Sequence, residues 1–105
     1  MDSKKELEVF LVEKFSLQSK DGLPDTDSLY FKEMQRRLAV RIEFYINFKM
    51  EELLQILYKI DIPQSQTDKA FQLGDIKEIS LKISELIISR QLKKIEYSRN
   101  FTGDF

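Results

Sequence analysis

The chain has 105 residues, a formal net charge of −1, and no His, Cys or Trp. Its length fits one domain, and the absence of Cys excludes a disulfide scaffold. Without His and Cys, the chain also lacks the commonest general base, the commonest soft nucleophile and the usual transition-metal ligands. No apolar stretch is long enough for a signal peptide or a membrane span, so we expect a cytoplasmic protein that makes no membrane contact.

Breaks in the sequence separate five helix-length segments. The first break, 19–25, contains Gly and Pro close together, and Pro63 marks another because the residue before a proline is pushed out of the α region. Gly74 is placed to end one helix and Asp75 to cap the next, whereas Asn47 is a weaker break. Apolar residues recur every three to four positions between the breaks. The predicted helices span residues 4–18, 27–46, 48–60, 65–71 and 75–99.

The pattern predicts an all-α fold, a small bundle of four to five helices with a long C-terminal helix. Residues 1–99 are predicted to form the single helical domain. Residues 100–105 are predicted to form a flexible C-terminal tail, because a free terminus usually frays. The alternative for this segment is a short docking motif built on Phe101 and Phe105.

The last helix carries two apolar stripes. At 100° per residue, one stripe contains Ile76, Ile79, Ile83, Leu86 and Ile87. The second stripe lies on the opposite face and contains Leu81, Ile88, Leu92 and Ile95. A helix that is apolar on two sides must be covered on two sides. Either this helix is central in the bundle, or its second face docks on another chain, which is a second copy or a different protein.

Sequence motifs of enzymes are absent. With three Gly in the chain, a phosphate-binding loop cannot be built in the usual way, and a Ser or Lys nucleophile would have to be activated without His. The acidic residues around Asp25 do not fit a calcium loop, because Tyr30 takes the position that must be Gly. We therefore expect a protein that is not an enzyme and that holds no metal and no cofactor.

Basic residues form two clusters, which consist of Arg36, Arg37 and Arg41 on one helix and Lys93 and Lys94 on another. A nucleic-acid-binding surface would interleave such side chains with exposed aromatic or small polar residues. Here Glu33 and Glu43 interrupt the first cluster and Glu96 interrupts the second. This pattern is typical of a solvated, salt-bridged helix face, and nucleic acid is the less favoured partner.

Two separated blocks of sequence are similar to a known group. They are LLQILYKIDI at 53–62 and LIISRQLKKI at 86–95. The pair resembles a group of small, uncharacterised bacterial helical proteins that combine an L-Y-[KR]-[IL]-D-[IV] helix end with a terminal L-I-I-x-R-Q-L-x-K-[IV] helix. The resemblance covers about residues 38–99, implies a small helical protein without catalytic residues, and directs attention to Tyr58 and Gln91.

The same blocks contain a candidate ion pair. Asp61 ends a helix, where a carboxylate is unfavourable against the helix dipole unless it is paired. Arg90 takes a position at which the first apolar stripe of the last helix would continue. We therefore predict that Asp61 and Arg90 form an internal ion pair between the third helix and the last.

The sequence as a whole predicts a non-catalytic protein–protein interaction module, such as an adaptor, a regulator or a small subunit. Its predicted partner-binding residues are Leu81, Ile88, Leu92 and Ile95. Two alternatives remain. One is a nucleic-acid-associated regulator that uses the two basic clusters, and the other is a homodimer with no other partner.

Overall fold

Five helices and no strand make up the part of the chain that the structure describes, which confirms the predicted all-α fold. The computed structural model describes residues 3–17, 23 and 26–102, with side chains up to Ser98. The helices are α1 (Ser3–Phe15), α2 (Asp27–Phe48), α3 (Met50–Lys59), α4 (Gln64–Phe71) and α5 (Ile76–Thr102).

The first two helices end at positions slightly different from those predicted. α1 ends three residues early, because Ser16 takes a left-handed backbone conformation with φ of 56°. α2 continues through Asn47, and the chain turns at Lys49, with φ of −144° and ψ of 48°. Asn47 is therefore an ordinary helical residue, and a single non-helical residue joins α2 to α3.

The last helix extends farther than predicted. α5 continues to Thr102, so residues 100–102 belong to the helix and not to a separate tail. Residues 103–105 and the side chain of Phe101 lie outside the described part of the chain. The docking motif proposed for this terminus therefore stays a prediction.

The turn after α3 is a Schellman motif. The N–H of Ile62 donates to the carbonyl oxygen of Leu57 at 3.2 Å, and the N–H of Asp61 donates to that of Tyr58 at 3.1 Å. Asp61 has a φ of 65° and occupies the left-handed position that Gly usually fills. The motif fixes the direction in which the chain leaves α3.

The turn before α5 has the conformation that the sequence predicts at Gly74 and Asp75. Gly74 has a φ of 87°, a value that favours glycine because it has no Cβ. The carboxylate of Asp75 accepts a hydrogen bond of 3.4 Å from the N–H of Lys77, so Asp75 caps α5 as predicted.

Helix α1 runs in the same direction as α2. Three contacts follow the same order along both helices: Lys4 with Asp27, Glu8 with Tyr30, and Phe15 with Arg41. Helix α5 runs antiparallel to α2, since Gln35 contacts Leu81 whereas Glu43 contacts Lys77. α2 and α5 are the two central helices, because α5 packs against α1, α2 and α4, and α2 packs against α1, α3 and α5.

The two apolar stripes of α5 are the edges of one broad buried face. Ser80 and Ser84 lie between the stripes on the helical wheel, and both are fully buried. Ile83 of the first stripe and Ile88 of the second belong to the same core. Residues of both stripes therefore belong to one buried face, and other helices of the same chain cover most of both stripes.

Candidate functional site

The predicted docking face on α5 is mostly inside the molecule. Ile88 is 7% exposed and Ile95 is 8% exposed, and Leu92 is partly buried against the core. Only Leu81, at 44%, presents a large apolar surface to solvent. Ile88 and Ile95 are therefore enclosed by this chain and do not form an open face with Leu81, and partner binding at this side of α5 stays a prediction.

Asp61 and Arg90 do come together, with a third residue beside them. Arg90 Nη2 lies 3.9 Å from Asp61 Oδ2, and Lys94 Nζ lies closer to the same oxygen, at 3.4 Å. Arg90 Nε also donates to the carbonyl oxygen of Ile60 at 3.4 Å. Two α5 cations therefore face the C-terminus of α3, where positive charge is favourable. Because the Asp61 side chain is 67% exposed, water screens these pairs.

Most of the predicted basic residues are engaged within the chain. Arg36 and Arg37 both bind the carboxylate of Glu33, at 2.8 Å and 2.7 Å, and Lys94 binds Asp61. The hydrogen bonds from the two guanidinium groups lower the pKa of Glu33 from 4.5 to about 2. The Arg36–Arg37 cluster is thus partly neutralised by Glu33, as the salt-bridged interpretation predicts.

Arg41 has a structural position. Its Nε donates a hydrogen bond of 2.8 Å to the carbonyl oxygen of Phe15, the last residue of α1. Its guanidinium carbon also lies 4.9 Å from the ring centroid of Phe44 and 5.7 Å from that of Tyr45. The side chain fastens α1 to α2 and is not part of an open basic surface.

The two basic clusters also lie apart. Gln35 of α2 is level with Leu81 of α5, since Gln35 Nε2 donates to the Leu81 carbonyl oxygen at 3.1 Å. Lys93 lies twelve residues farther along α5, which corresponds to about 18 Å of helix. The α2 and α5 cations therefore do not merge into one continuous patch.

A large open groove lies between α3 and α4. Its volume is about 840 Å³, and its apolar walls come from both helices and the turn that joins them. The lining side chains are Met50, Leu54, Leu57, Tyr58, Asp61, Ile62, Pro63, Gln64, Thr67, Asp68 and Phe71. α3 packs on α2 and α4 packs on α5, which holds the two walls of the groove in place.

Each wall of the groove has a row of side chains spaced four residues apart. Leu54 and Tyr58 form the row on α3, and Thr67 and Phe71 form the row on α4. Tyr58 is 84% exposed and Leu54 is half exposed, so both can contact a ligand without a change of the core. Leu57 and Ile62 form the buried floor.

The charged residues of the groove are all acidic. Asp61 and Asp68 line it, and among the residues that the structure describes no Lys or Arg does. Asp61 is paired with Lys94 and Arg90, whereas Asp68 makes no side-chain ion pair among the residues that the structure describes. The groove therefore offers one unpaired carboxylate beside a mainly apolar surface.

Only part of this groove is marked by a pattern in the sequence. Tyr58 lies in one of the two sequence blocks quoted above. No local pattern in the sequence marks Leu54, Asp68 and Phe71 as neighbours. A usable signal is the width of the apolar face of α3, on which Met50 and Leu54 lie outside the row of buried Leu53 and Leu57. A helix of ten residues with so wide an apolar face can turn only part of that face toward the core.

The described residues contain neither a cluster that could hold a metal ion nor a helix that could span a membrane. Within residues 3–17, 23 and 26–102, no group of three or more acidic side chains is arranged to hold a metal ion. None of the helices in this part of the chain is long and apolar enough to cross a membrane.

Comparison with known proteins gives no match: no family model, no curated protein and no solved structure is significantly similar to the chain. The resemblance to small bacterial helical proteins therefore stays a prediction.

Proposed function

We propose that the protein is a non-catalytic protein-binding module, such as an adaptor, a regulator or a small subunit, and that it binds its partner in the groove between α3 and α4. The observation that carries this proposal is the open, mainly apolar groove of about 840 Å³, in which Tyr58 is almost fully exposed. Exposed apolar surface of this kind is characteristic of interaction sites.

The proposed occupant is an amphipathic helix. α3 has ten residues and is therefore about 15 Å long, which matches about three turns of a bound helix. Partner side chains at positions i, i+3 or i+4, and i+7 would pack between the α3 row and the α4 row, which is the usual way in which a helix binds in a groove. The Leu57 and Ile62 floor would receive the central apolar side chain.

The acidic residues of the groove favour a partner helix with basic residues beside its apolar face. Asp68 makes no ion pair within the described part of the chain, and the described side chains that line the groove include no cation that would repel a basic partner. A Lys or Arg beside the apolar face of the bound helix would pair with Asp68. The proposed partner is therefore an apolar helix with a basic flank.

A synthetic peptide tests the proposal directly. The probe is a fluorescein-labelled amphipathic helix of about 15 residues with Leu at the spacing above and Lys beside it, and the control peptide has Glu in place of each Lys. Fluorescence polarisation should show binding of the Lys peptide, weaker binding of the Glu peptide, and loss of binding in Leu54→Glu. Asp68→Asn should raise the dissociation constant of the Lys peptide about two- to fivefold.

Leu81→Glu is the matched control, because Leu81 and Leu54 have the same exposed fraction of 44% and Leu81 lies on the α5 face. Binding should be unchanged in this variant, and circular dichroism checks that both variants are folded. If Leu81→Glu abolishes binding and Leu54→Glu does not, the docking surface is on α5 and the groove proposal fails. It also fails if the Lys peptide does not bind at concentrations up to about 1 mM.

A further inference from the structure

The end of the groove at the turn between α3 and α4 carries positive charge. Asp61 lines the groove at this end, and two cations of α5 contact it from outside the groove. Lys94 Nζ lies 3.4 Å and Arg90 Nη2 lies 3.9 Å from the same atom, Asp61 Oδ2. We call Asp61, Arg90 and Lys94 the turn cluster. The side chains of Arg90 and Lys94 are 38% and 33% exposed, so both cations can be reached from solvent.

Positive charge exceeds negative charge in the turn cluster. Two cations share one carboxylate, and neither cation has another ion-pair partner among the residues that the structure describes. The C-terminus of α3 adds about half a unit of negative charge, which offsets the excess only in part. Lys59 and Lys93, on either side of the cluster in the sequence, are exposed and also basic. Glu96 lies about 200° around α5 from Lys94 and is on another face of the helix.

The α4 wall of the groove has the opposite charge. Asp68 lines the groove from the second turn of α4 and makes no ion pair within the described part of the chain. Lys69 is the next residue but does not line the groove, because successive positions on a helix point about 100° apart. The groove therefore combines an acidic position on α4, a basic position at the turn, and the apolar floor of Leu57 and Ile62.

We infer that the turn cluster binds an acidic side chain of the partner helix, so that the partner has a basic residue at the α4 wall and an acidic residue at the turn. This inference rests on the proposed function of the groove and adds a charge order to its partner. A carboxylate at the turn is attracted by Arg90 and Lys94, whereas a second basic residue there meets two cations and a carboxylate that is already paired. Opposite charges at two fixed positions also determine which end of the bound helix lies at the turn.

Three peptides that differ at one position test the inference. Each is an amphipathic Leu helix of the kind described above with a single Lys beside the first Leu, and the residue beside the last Leu is Glu, Gln or Lys. We call them the end-Glu, end-Gln and end-Lys peptides. Fluorescence polarisation with the wild-type chain should show the tightest binding for end-Glu and the weakest for end-Lys, with each step changing the dissociation constant about two- to fivefold. Added salt should reduce this preference, because ions screen exposed charges.

Variants of the turn cluster should change the order of the three peptides. The double variant Arg90→Met/Lys94→Met leaves Asp61 without both cations, so end-Lys should become the tightest binder. In Asp61→Asn the cations lose their carboxylate, so the preference for end-Glu should increase, and Asn is tolerated in the left-handed conformation of residue 61. Lys93→Met is the matched control, because Lys93 is an exposed cation outside the cluster, and the order should stay as in the wild type.

The possible failures are distinguishable. If the three peptides bind the wild type equally, or if the double variant keeps the preference for end-Glu, the inference is overturned and the groove proposal stands. If circular dichroism shows that the double variant is unfolded, Asp61→Asn decides, and an unchanged preference in that variant overturns the inference. If no peptide binds the wild type at concentrations up to about 1 mM, the proposed function fails and the inference fails with it.

Discussion

The side chain of Arg41 closes the C-terminus of α1, because its Nε donates a 2.8 Å hydrogen bond to the carbonyl oxygen of Phe15. The carbonyl groups in the last turn of a helix have no partner within the helix, and they carry the negative end of its dipole. A cation from α2 therefore satisfies one of these groups and also joins α2 to the end of α1.

We predict that Arg41→Met lowers the free energy of unfolding by about 1–2 kcal/mol, because the Phe15 carbonyl loses a charged donor while the apolar stem of the side chain is kept. Urea denaturation followed by circular dichroism measures the change. Arg36→Met is the control, since Arg36 is exposed and pairs only within α2. An equal effect in both variants would show that Arg41 does not hold α1.

Glu33 should make stability depend on pH in the acid range. Its pKa is lowered from 4.5 to about 2 by hydrogen bonds from Arg36 and Arg37, so the folded state binds this proton less readily than the unfolded state does. The stabilisation by Glu33 is therefore complete above about pH 4.5 and is lost as the pH falls from 4.5 to about 2.

The measurement is the difference in unfolding free energy between the wild type and Glu33→Gln across this range. The wild-type advantage should shrink steadily below pH 4.5 and vanish near pH 2. Glu51→Gln, at an exposed carboxylate on α3, is the control for the general effect of removing a charge. If the difference in unfolding free energy stays constant between pH 4.5 and about pH 2, Glu33 is not paired with Arg36 and Arg37.

Arg90→Leu should lower the melting temperature by a few degrees, because Asp61 and the Ile60 carbonyl lose a cationic partner. The effect is small because Lys94 stays 3.4 Å from Asp61 and both partners are partly solvated. A thermal melt of Arg90→Leu, Asp61→Asn and the double variant gives the coupling between the two residues. An unchanged or raised melting temperature in Arg90→Leu would refute the pairing and identify Arg90 as a surface contact residue.

Ser80→Ala should raise the free energy of unfolding by about 1 kcal/mol. Ser80 Oγ is buried and has no hydrogen-bond partner among the described residues, so its removal relieves an uncompensated loss of hydration. Ser84→Ala should have a smaller effect, because Ser84 Oγ donates to the Leu81 carbonyl oxygen at 2.7 Å. Ser80→Leu should destabilise by about 1–3 kcal/mol, since this position is closely packed, and differential scanning calorimetry can rank the three variants.

The helices could be predicted from the sequence because their signals are local. Gly74 marks a helix boundary because it adopts a left-handed backbone conformation, and Asp75 marks the start of α5 because its side chain caps the helix. Both effects involve only neighbouring residues in the sequence. The pairing of Asp61 with the last helix was also predictable, because a carboxylate at a helix C-terminus needs a cation.

The buried face of α5 could not be predicted in the same way. Ser80 and Ser84 are small and fully buried, although serine is a polar residue. In the sequence these two polar residues make one buried face look like two separate apolar stripes. The α3–α4 groove likewise depends on how far apart two short helices lie, which is set by their separate packing on α2 and α5. Neither feature is a property of any one segment.

The contact between α1 and α5 affects the order in which the helices assemble. α1 and α5 are in contact in the fold but are separated by all the other helices along the chain. Bringing α1 and α5 together lowers the entropy of the long chain segment between them before the contact between the two helices stabilises the fold. We therefore expect α2 to α5 to assemble first and α1 to be added last. Until then the apolar surface that encloses Leu7 and Leu11 in the folded chain is uncovered, and we expect α1 of a neighbouring molecule to bind there in a concentrated refolding mixture and to give domain-swapped species.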